Sequence, residues 1–338
     1  MTSKFLNMLE NRAWILADGA TGTNLFAMGL RAGQAPELWN ETQPKKIDKL
    51  YRQAVEAGSD LFLTNSFGSN AARLKLHNAG HRAYELSKLA AEIGRNVADS
   101  FQRDLIVAGS VGPTGEIFEP VGTLSHADAV EIFHEQAEGL KEGGADVLWL
   151  ETISSREEYI AAAEAFAKVD LTWCGTMSFD TAGRTMMGVT SQDMVDLIQS
   201  LDHPPAAFGA NCGIGASDLL RTLQGFATKN PTSALIAKCN AGIPKYVDGH
   251  IHYDGTPDLM ADYAVMARDS GAKIIGGCCG TMPEHLEKMR TALRTRSPAE
   301  APSLQKIAEK LGAFSSVDDG TDPSSRVKKR VRRRRRSA

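Results

Sequence analysis

The chain has 338 residues, and 42% of them are hydrophobic, which is enough for one large core or two ordinary domains. The net charge of −3 hides an asymmetry: nine of the eleven residues at 326–336 are Lys or Arg, and the rest of the chain has 29 basic and 41 acidic residues. This negative body argues against nucleic-acid binding by charge, and five cysteines in so long a chain do not indicate a secreted disulfide framework.

The N-terminal segment predicts where the protein resides. Residues 1–12 contain no apolar stretch typical of a signal peptide, and residues 1–13 predict a short amphipathic helix. No run of about 18 apolar residues occurs anywhere, so no membrane-spanning helix is expected. We therefore expect a cytoplasmic protein with reduced thiols and no membrane contact.

Short apolar runs recur along the chain, and each predicts a β-strand. There are eight, at 15–20, 61–67, 105–111, 147–152, 172–179, 206–212, 234–239 and 273–278. Stretches of helical period separate most of them, and these carry caps such as Ser125, Ser155 and Thr281. Eight strands alternating with helices predict an α/β protein with a (β/α)₈ TIM barrel, typically about 250 residues long.

An open, doubly wound sheet is the alternative fold. The barrel is favoured because the strand count is eight and the unusual residues follow the carboxyl ends of strands. In a barrel those ends share one rim, where the loops build the active site.

The composition changes near residue 297. Prolines and a segment rich in Ser, Asp and Gly lead into the basic run at 326–336. We expect a barrel domain at 1–296 and a flexible tail at 297–338, with a short helix near 304–311. The basic run is typical of a solvated tail, and a tether to RNA or to an acidic partner is the alternative.

Three cysteines stand at glycine-rich ends of predicted strands. Cys212 ends the sixth strand in Asn-Cys-Gly, and Cys278 and Cys279 follow the eighth in Gly-Gly-Cys-Cys-Gly. These strands flank the seventh, so the three thiols can share an ion, although free cysteines are more often small buried hydrophobic residues. We accept that role for Cys174 and Cys239, which lie within strands.

Three protein ligands with one open position are typical of a catalytic zinc site. Three thiolates on Zn²⁺ leave a net negative charge, which makes the metal a weak Lewis acid toward carbonyls. A fourth thiol bound there would lose its proton and remain nucleophilic. The cysteines therefore predict attack by a substrate thiolate on an electrophilic carbon.

Two carboxylates end apolar strands, Asp18 on the first and Glu151 on the fourth. Burying these carboxylates unpaired is unfavourable. Each therefore either caps a helix or forms a salt bridge at the rim, or it recognises a substrate ammonium group. The loop that begins at Gly19 offers backbone N–H groups to a carboxylate, and Thr64 offers a hydroxyl. A metal pair at His250 and His252 is the less favoured interpretation of a polar loop.

These motifs together resemble the homocysteine S-methyltransferase family over residues 16–289. The motifs that carry the resemblance are Asp18-Gly-Ala-Thr-Gly-Thr23, Thr64-Asn-Ser-Phe67, Gly112-Pro-Thr-Gly115, Leu150-Glu-Thr152, Gly209-Ala-Asn-Cys-Gly213, Asn240-Ala-Gly242 with Thr256-Pro257, and Gly276-Gly-Cys-Cys-Gly280.

The resemblance implies a zinc barrel that binds homocysteine through its thiol. It implies that Cys212, Cys278 and Cys279 are the zinc ligands. Asp18, Thr64 and Glu151 then fall where the family contacts homocysteine.

The family uses several methyl donors, and betaine is the first expectation. S-methylmethionine and a separate methyl-corrinoid protein are the second and third. Aromatic faces hold quaternary ammonium groups, which makes Trp39 the candidate contact for betaine. Animal betaine enzymes carry Tyr where this chain has Thr152 and Gly68, which counts against a pocket of that type.

Other classes of function remain as alternatives. A non-catalytic barrel that binds zinc or thiols, a zinc hydrolase, and a nucleic-acid protein acting through its tail are each compatible with part of the sequence. The expected partners are small molecules, homocysteine and a methyl donor, with a homo-oligomer as an open possibility.

Overall fold

The computed structural model describes residues 3–180, 182–229, 231–243, 245–247 and 250–317, without the side chains of 245–247 and 250–252. Within these residues the strands are β1 Ile15–Leu16, β2 Leu61–Leu63, β3 Ile106–Val111, β4 Val147–Ile153, β5 Trp173–Met177, β6 Ala207–Cys212, β7 Ala234–Cys239, β8 Lys245–Val247, β9 His250–His252 and β10 Ala272–Gly277.

Helices alternate with most of these strands. They are α1 Lys4–Asn11, α2 Thr21–Ala27, α3 Trp39–Thr42, α4 Pro44–Glu56, α5 Ala71–Lys75, α6 Ala83–Asp99, α7 His126–Glu142, α8 Arg156–Val169, α9 Ser191–Ser200, α10 Ala216–Ala227, α11 Pro257–Asp269, α12 Pro283–Thr295 and α13 Leu304–Leu311. None of the helices in the described ranges is long and apolar enough to cross a bilayer.

Eight parallel strands form one sheet in the order β1-β10-β7-β6-β5-β4-β3-β2, and β8 and β9 form a separate antiparallel hairpin. The two end strands meet where the Asp60 N–H donates to the Leu16 carbonyl at 2.7 Å. The sheet therefore curls into a nearly closed (β/α)₈ barrel, which confirms the predicted fold. β1 and β2 are shorter than the apolar runs that predicted them.

Side chains that point into the barrel fill its lower part. One fully buried member comes from each strand: Ile15, Leu61, Ile106, Val147, Cys174, Ala207, Ile236 and Ile274. Helix α1 adds Phe5 and Met8 to this cluster and so covers the amino-terminal end of the barrel. Because this end is closed by apolar packing, the polar residues of the interior are confined to the opposite end.

Two of the three predicted helix N-caps are present in the structure. Ser125 and Ser155 accept backbone N–H bonds at the starts of α7 and α8, as predicted. The Thr281 cap was wrong, because α12 begins at Pro283 and its N-cap is Met282. Proline favours the first helical position, where its missing N–H is not needed.

The first part of the predicted tail packs against the barrel. Helix α13 is capped by Ser303 and buries Ile307 and Leu311 in the main core. Its two apolar residues lie one turn apart on one face, which explains the packing. The basic run at 326–336 lies outside the described residues, and the division at residue 296 stays a prediction.

The segment after α13 is held by helix α10. Asp218 accepts from the Ser315 N–H and hydroxyl, both at 3.0 Å, and Arg221 donates to the Ser316 carbonyl at 2.8 Å. The Arg221 guanidinium also lies 4.7 Å from the ring of Phe314. Residues up to 316 are therefore joined to the barrel by both apolar and polar contacts.

A buried carboxylate, Asp60, stabilises the seam where β1 and β2 meet. Asp60 is 1% exposed and accepts from Arg12 and Arg290 at 2.7 Å, from Arg103 at 3.3 Å and from the Leu16 N–H at 3.1 Å. Three cations from distant parts of the chain thus converge on one acid at the amino-terminal end of the seam.

We predict that Asp60→Ala lowers the free energy of unfolding by about 2–3 kcal/mol, because it removes the buried acceptor shared by the Leu16 N–H and three partly exposed arginines. Urea denaturation monitored by circular dichroism measures this loss. The matched control is Asp48→Ala, which removes an exposed pair with Arg52 and should cost less than about 1 kcal/mol. Equal losses in the two variants would contradict the role given to Asp60.

Candidate metal and substrate site

The three predicted cysteines converge at the carboxyl end of the barrel. The sulfur atoms of Cys212, Cys278 and Cys279 all lie within 4.8 Å of one another. Cys212 pairs in register with Cys239 on β7, and Cys239 pairs with Gly277 on β10. Since neighbouring strands are about 4.8 Å apart, β6 and β10 are separated by about 9.6 Å. The thiols can therefore meet only by leaning over the end of β7.

Unusual backbone angles make this approach possible. Cys212 has a φ of 60°, and Gly213 after it has a φ of 72°. Left-handed backbone is unfavourable for a residue with a side chain, so Cys212 is held there by its surroundings. On the other side, the Cys278 N–H donates to the Cys239 carbonyl at 2.6 Å, which fixes the vicinal pair over β7.

The cluster fits a tetrahedral metal. With metal–sulfur distances of about 2.3 Å, three tetrahedral thiolates place their sulfurs about 3.8 Å apart, within the spacing observed here. Hydrogen bonds from the Cys212 and Cys278 thiols lower the pKa of Cys279 to about 3. The pKa of Cys212 is raised by the same sharing of protons with its two neighbours. Proton sharing among the three thiols thus favours ionisation of Cys279 over that of Cys212. Soft thiolate ligands suit zinc.

Asn211 forms the layer directly beneath the cysteines. Its amide nitrogen lies 3.8 Å from the Cys278 sulfur and donates to the Thr152 hydroxyl at 2.7 Å. Its oxygen accepts from the Thr152 N–H at 2.8 Å and from the Thr176 hydroxyl at 2.7 Å. Asn211 therefore ties strands β4, β5 and β6 to the thiol of Cys278.

Asp18 lies beside this layer in an ion pair. Its Oδ1 is 2.5 Å from the ammonium of Lys238, and its Oδ2 accepts from the Leu63 N–H at 2.8 Å. Burial raises the pKa of Asp18, and the charge of Lys238 offsets only part of this effect. Burial also disfavours the Lys238 ammonium, but the charges of Asp18 and Glu151 outweigh it and raise the pKa of Lys238.

Glu151 faces the same region from β4. Its Oε1 accepts from the Ser110 hydroxyl at 2.5 Å. Burial raises the pKa of Glu151 to about 7, against the opposing charge of Lys238 and with a smaller contribution from Cys278. A carboxylate in this setting gains most from a nearby cation, such as a substrate ammonium group.

Gly19 lies where the end of β1 touches the loop after β10. A side chain there would approach the Thr281 carbonyl oxygen to 2.6 Å, and the next residue, Ala20, donates its N–H to that oxygen at 3.1 Å. The expected open loop is instead the start of α2, which begins at Thr21. Gly19 thus permits the close contact that places the first strand beside the cysteine loop.

Thr64 does not join the cluster. Its methyl group packs toward Gly94 of α6, and its hydroxyl accepts from the Ser110 N–H at 3.0 Å and bonds to Ser66 at 2.6 Å. Leu61 and Leu63 on the same strand point into the barrel, so the next residue points outward. The alternation along the strand thus turns the Thr64 side chain toward α6, and its contact with a substrate stays a prediction.

Trp39 is also placed elsewhere than expected. It is 8% exposed and packs in an apolar cluster with Leu25, Leu30 and Leu50. The Lys46 ammonium lies 4.4 Å from the centre of its ring. One face of this indole already has a cation, and none of the contacts described for it reaches the cysteines. The side chains of His250 and His252 lie outside the described residues.

Three site residues were missed by the sequence interpretation: Lys238, Asn211 and Tyr253. The pKa of Cys279 is lowered in part by a hydrogen bond from Tyr253, whose ring packs against Gly280. A lysine within an apolar strand was a signal for Lys238, because lysine is rarely buried without a charged partner. For Asn211 the signal was its position next to Cys212, a predicted metal ligand. The sequence around Tyr253 contains no comparable signal.

The fold and the site define a (β/α)₈ barrel with a three-cysteine centre suited to a metal ion. The profile of the homocysteine S-methyltransferase family matches residues 15–293, and the chain belongs to this family.

Similar proteins include a methionine synthase of Mycobacterium tuberculosis, which is 29% identical over 314 residues. That match covers 85% of this chain and 25% of the synthase, so the chain spans about a quarter of that relative.

Solved structures with the same fold include the homocysteine methyltransferase MmuM from Escherichia coli. Its oxidized form has a TM-score of 0.71 at 24% identity and covers 86% of this chain and 99% of its own. Its metallated form has the same TM-score at 23% identity, with 85% and 99% covered.

We predict that Asn211→Ala weakens metal binding about 10- to 100-fold, because it removes the support beneath Cys278. Competition with a chelator, using Zn²⁺ as the probe, measures the affinity. Asn40→Ala is the matched control, since Asn40 is similarly buried and its hydrogen bonds within the described residues go to Asn65 and the Leu86 carbonyl. Unchanged affinity in Asn211→Ala would remove this residue from the metal site.

Proposed function

We propose that the protein transfers a methyl group from betaine to L-homocysteine, forming methionine at a zinc centre held by Cys212, Cys278 and Cys279. The observation that carries this proposal is the convergence of three thiols on one point at the carboxyl rim of the barrel. Membership of the homocysteine S-methyltransferase family supports it.

The thiol of homocysteine would be the nucleophile. Cys212, Cys278 and Cys279 would hold the zinc, which would lower the pKa of a substrate thiol bound to it. Homocysteine sulfur then attacks the methyl carbon of the donor; the S–C bond forms, the C–N bond breaks, and the electron pair stays on the departing amine. The barrel contributes mainly by holding the two reactants in line.

The polar end of the barrel suits the amino-acid part of the substrate. Glu151 and Asp18 bring carboxylates close to Cys278, since its charge contributes to the raised pKa of each. A substrate bound through its sulfur above this layer would direct its ammonium group toward them. These residues therefore support an amino-acid thiol rather than a simple alkyl thiol.

The choice of betaine as methyl donor rests on the resemblance of the amino-terminal motifs to betaine enzymes and on the need for an aromatic contact. Trp39 is buried with Lys46 against its ring, which weakens the case for it. Tyr253, beside Cys279, is a half-buried aromatic residue nearer the centre. Cations prefer the faces of such rings, so Tyr253 supports a quaternary ammonium donor.

A second candidate is methyl delivery by a separate corrinoid protein. The loops around the rim carry exposed apolar side chains: Ile117, Val121, Met186, Met187 and Ile243. Exposed apolar residues close to a site suit contact with another protein. The match to one quarter of a methionine synthase favours the same alternative. In either case we infer a cytoplasmic location, where the thiols stay reduced.

We predict methionine formation when the zinc-loaded protein receives homocysteine with betaine, compared in parallel with dimethylsulfoniopropionate and S-methylmethionine. Mass spectrometry of the product measures the rate with each donor. Turnover with S-methylmethionine alone would overturn the betaine assignment. Turnover that needs an added methyl-corrinoid protein would support the second candidate.

We predict that Cys278→Ala abolishes both zinc binding and methyl transfer, while the barrel keeps its far-ultraviolet circular dichroism spectrum. The control is Cys174→Ala, which removes a buried thiol from the lower barrel interior and should retain stoichiometric zinc. Metal content by atomic absorption and product assays follow both variants. An active, metal-free Cys278→Ala variant would falsify the mechanism.

A further inference from the structure

A short segment between β9 and α11 lies beside the cysteine cluster and carries Tyr253. The hydroxyl of Tyr253 forms a hydrogen bond with the Cys279 sulfur, in which the hydroxyl is the donor when the sulfur is a thiolate. Its ring packs against Gly280, where a side chain would lie 2.4 Å from the ring's Cγ. Gly280 also has a φ of 78°, so glycine is required there for both room and backbone angle. The tyrosine therefore contacts the vicinal cysteine pair by packing and by a hydrogen bond.

The backbone of this segment is held against the loop that follows β7. The Gly255 N–H donates to the Ala241 carbonyl at 2.8 Å, and the Ala241 N–H donates to the Cys279 carbonyl at 2.9 Å. A side chain at Gly255 would lie 2.3 Å from the Ala241 carbonyl carbon, and one at Gly242 would lie 2.5 Å from the Gly255 nitrogen. The two glycines thus permit a close contact between loops that a larger residue at either position would prevent.

His285 holds the same segment from helix α12. It is 7% exposed, its Nδ1 accepts from the Met282 N–H at 3.0 Å, and its Nε2 lies 2.9 Å from the Gly255 carbonyl oxygen. A carbonyl oxygen only accepts, so Nε2 carries the hydrogen and donates it to Gly255. One imidazole therefore binds the start of α12 with one nitrogen and the segment of Tyr253 with the other.

A hydrogen bond to a metal-binding thiolate alters the charge that the metal receives. Three thiolates would leave a bound Zn²⁺ with a net negative charge, and a hydroxyl that donates to one sulfur draws electron density away from the metal. Groups that support ligands in this way commonly change metal affinity 10- to 100-fold. Tyr253 thus stands to Cys279 as Asn211 stands to Cys278, whose sulfur lies 3.8 Å from the Asn211 amide nitrogen.

We propose that Tyr253 is a positioning residue of the metal centre: its hydroxyl donates to the Cys279 thiolate and limits the negative charge that reaches the metal. His285 holds Tyr253 in place through the Gly255 carbonyl. This inference rests on the proposed zinc centre and adds two residues to it. The role of the hydroxyl is separate from that of the ring face, which is the proposed contact for a quaternary ammonium donor.

The test uses Co²⁺ as the probe, because its sulfur-to-metal charge-transfer band reports how strongly the thiolates donate. Tyr253→Phe keeps the ring and removes only the hydroxyl. We expect the band to move to longer wavelength, because the lone pairs of a sulfur without this hydrogen bond lie higher in energy. Zn²⁺ affinity, measured by competition with a chelator, should fall about tenfold. A tyrosine that acts only by packing would leave the band in place, and that outcome would overturn the proposal.

Tyr263→Phe is the matched control for the loss of a tyrosine hydroxyl. The Tyr263 hydroxyl accepts from the N–H of Cys239, a cysteine outside the cluster, at 3.2 Å. Its removal should leave both the cobalt band and the zinc affinity unchanged while the melting temperature falls. An equal shift of the band in the two tyrosine variants would show that it reports loosened packing, which would contradict the role given to Tyr253.

Two substitutions of His285 separate the roles of its two nitrogens. His285→Gln places an amide N–H near the position of Nε2, within reach of the Gly255 carbonyl, whereas His285→Asn retains an acceptor near Nδ1 for the Met282 N–H and loses the bond to Gly255. We expect His285→Asn to shift the cobalt band in the same direction as Tyr253→Phe, and His285→Gln to keep it near that of the unaltered protein.

The double variant Tyr253→Phe with His285→Asn should show no shift beyond that of Tyr253→Phe, because both changes break the same hydrogen bond. Equal positions of the band in His285→Gln and His285→Asn would overturn the role given to His285. If no form of the protein, including the unaltered one, bound Co²⁺ or Zn²⁺, the proposed zinc centre itself would fail.

Discussion

The site depends on a conflict between strand spacing and thiol spacing. Cys212 and the Cys278–Cys279 pair lie at the ends of strands separated by a third, yet their sulfurs all lie within 4.8 Å of one another. The chain resolves this by turning Cys212 into the left-handed region and by ending β10 in glycines. Everything above the barrel is arranged around these two departures from regular strand geometry.

The barrel interior divides into two environments. The lower part is apolar and covered by α1, whereas the upper part holds Asp18, Lys238, Glu151 and Asn211 within a few residues of the thiols. Buried charges are tolerable only when paired, and here each has a partner from a different strand or loop. The low dielectric makes it unfavourable to bury these charged groups. It also strengthens the electrostatic interactions that they would make with a bound ligand.

The architecture and the three-cysteine cluster were accessible from sequence because both leave local signals. Apolar runs alternating with helical stripes predicted eight strands, and two Cys motifs flanked by glycine predicted the cluster. Asp18 and Glu151 drew attention because carboxylates at the ends of apolar strands are rare, and their contact with substrate stays a prediction.

Residues whose roles depend on distant partners were not accessible in this way. Lys238 acquires its role from a residue 220 positions away, which no local pattern displays. Thr64 was expected at the site, and alternation from Leu63 places its side chain on the face of the strand that packs toward α6. The packing of α13 was similarly hidden, because its two buried residues match a surface on α10 and α11 that only the folded chain creates.

That packing has a practical consequence for dissecting the protein. Helix α10 starts at Ala216, four residues after Cys212, and the segment after α13 binds its Ser217, Asp218 and Arg221. A fragment cut at the end of α12 would expose this apolar and charged surface next to a cysteine loop. The packed unit thus extends to residue 316, well beyond the last strand and helix of the repeating β/α pattern.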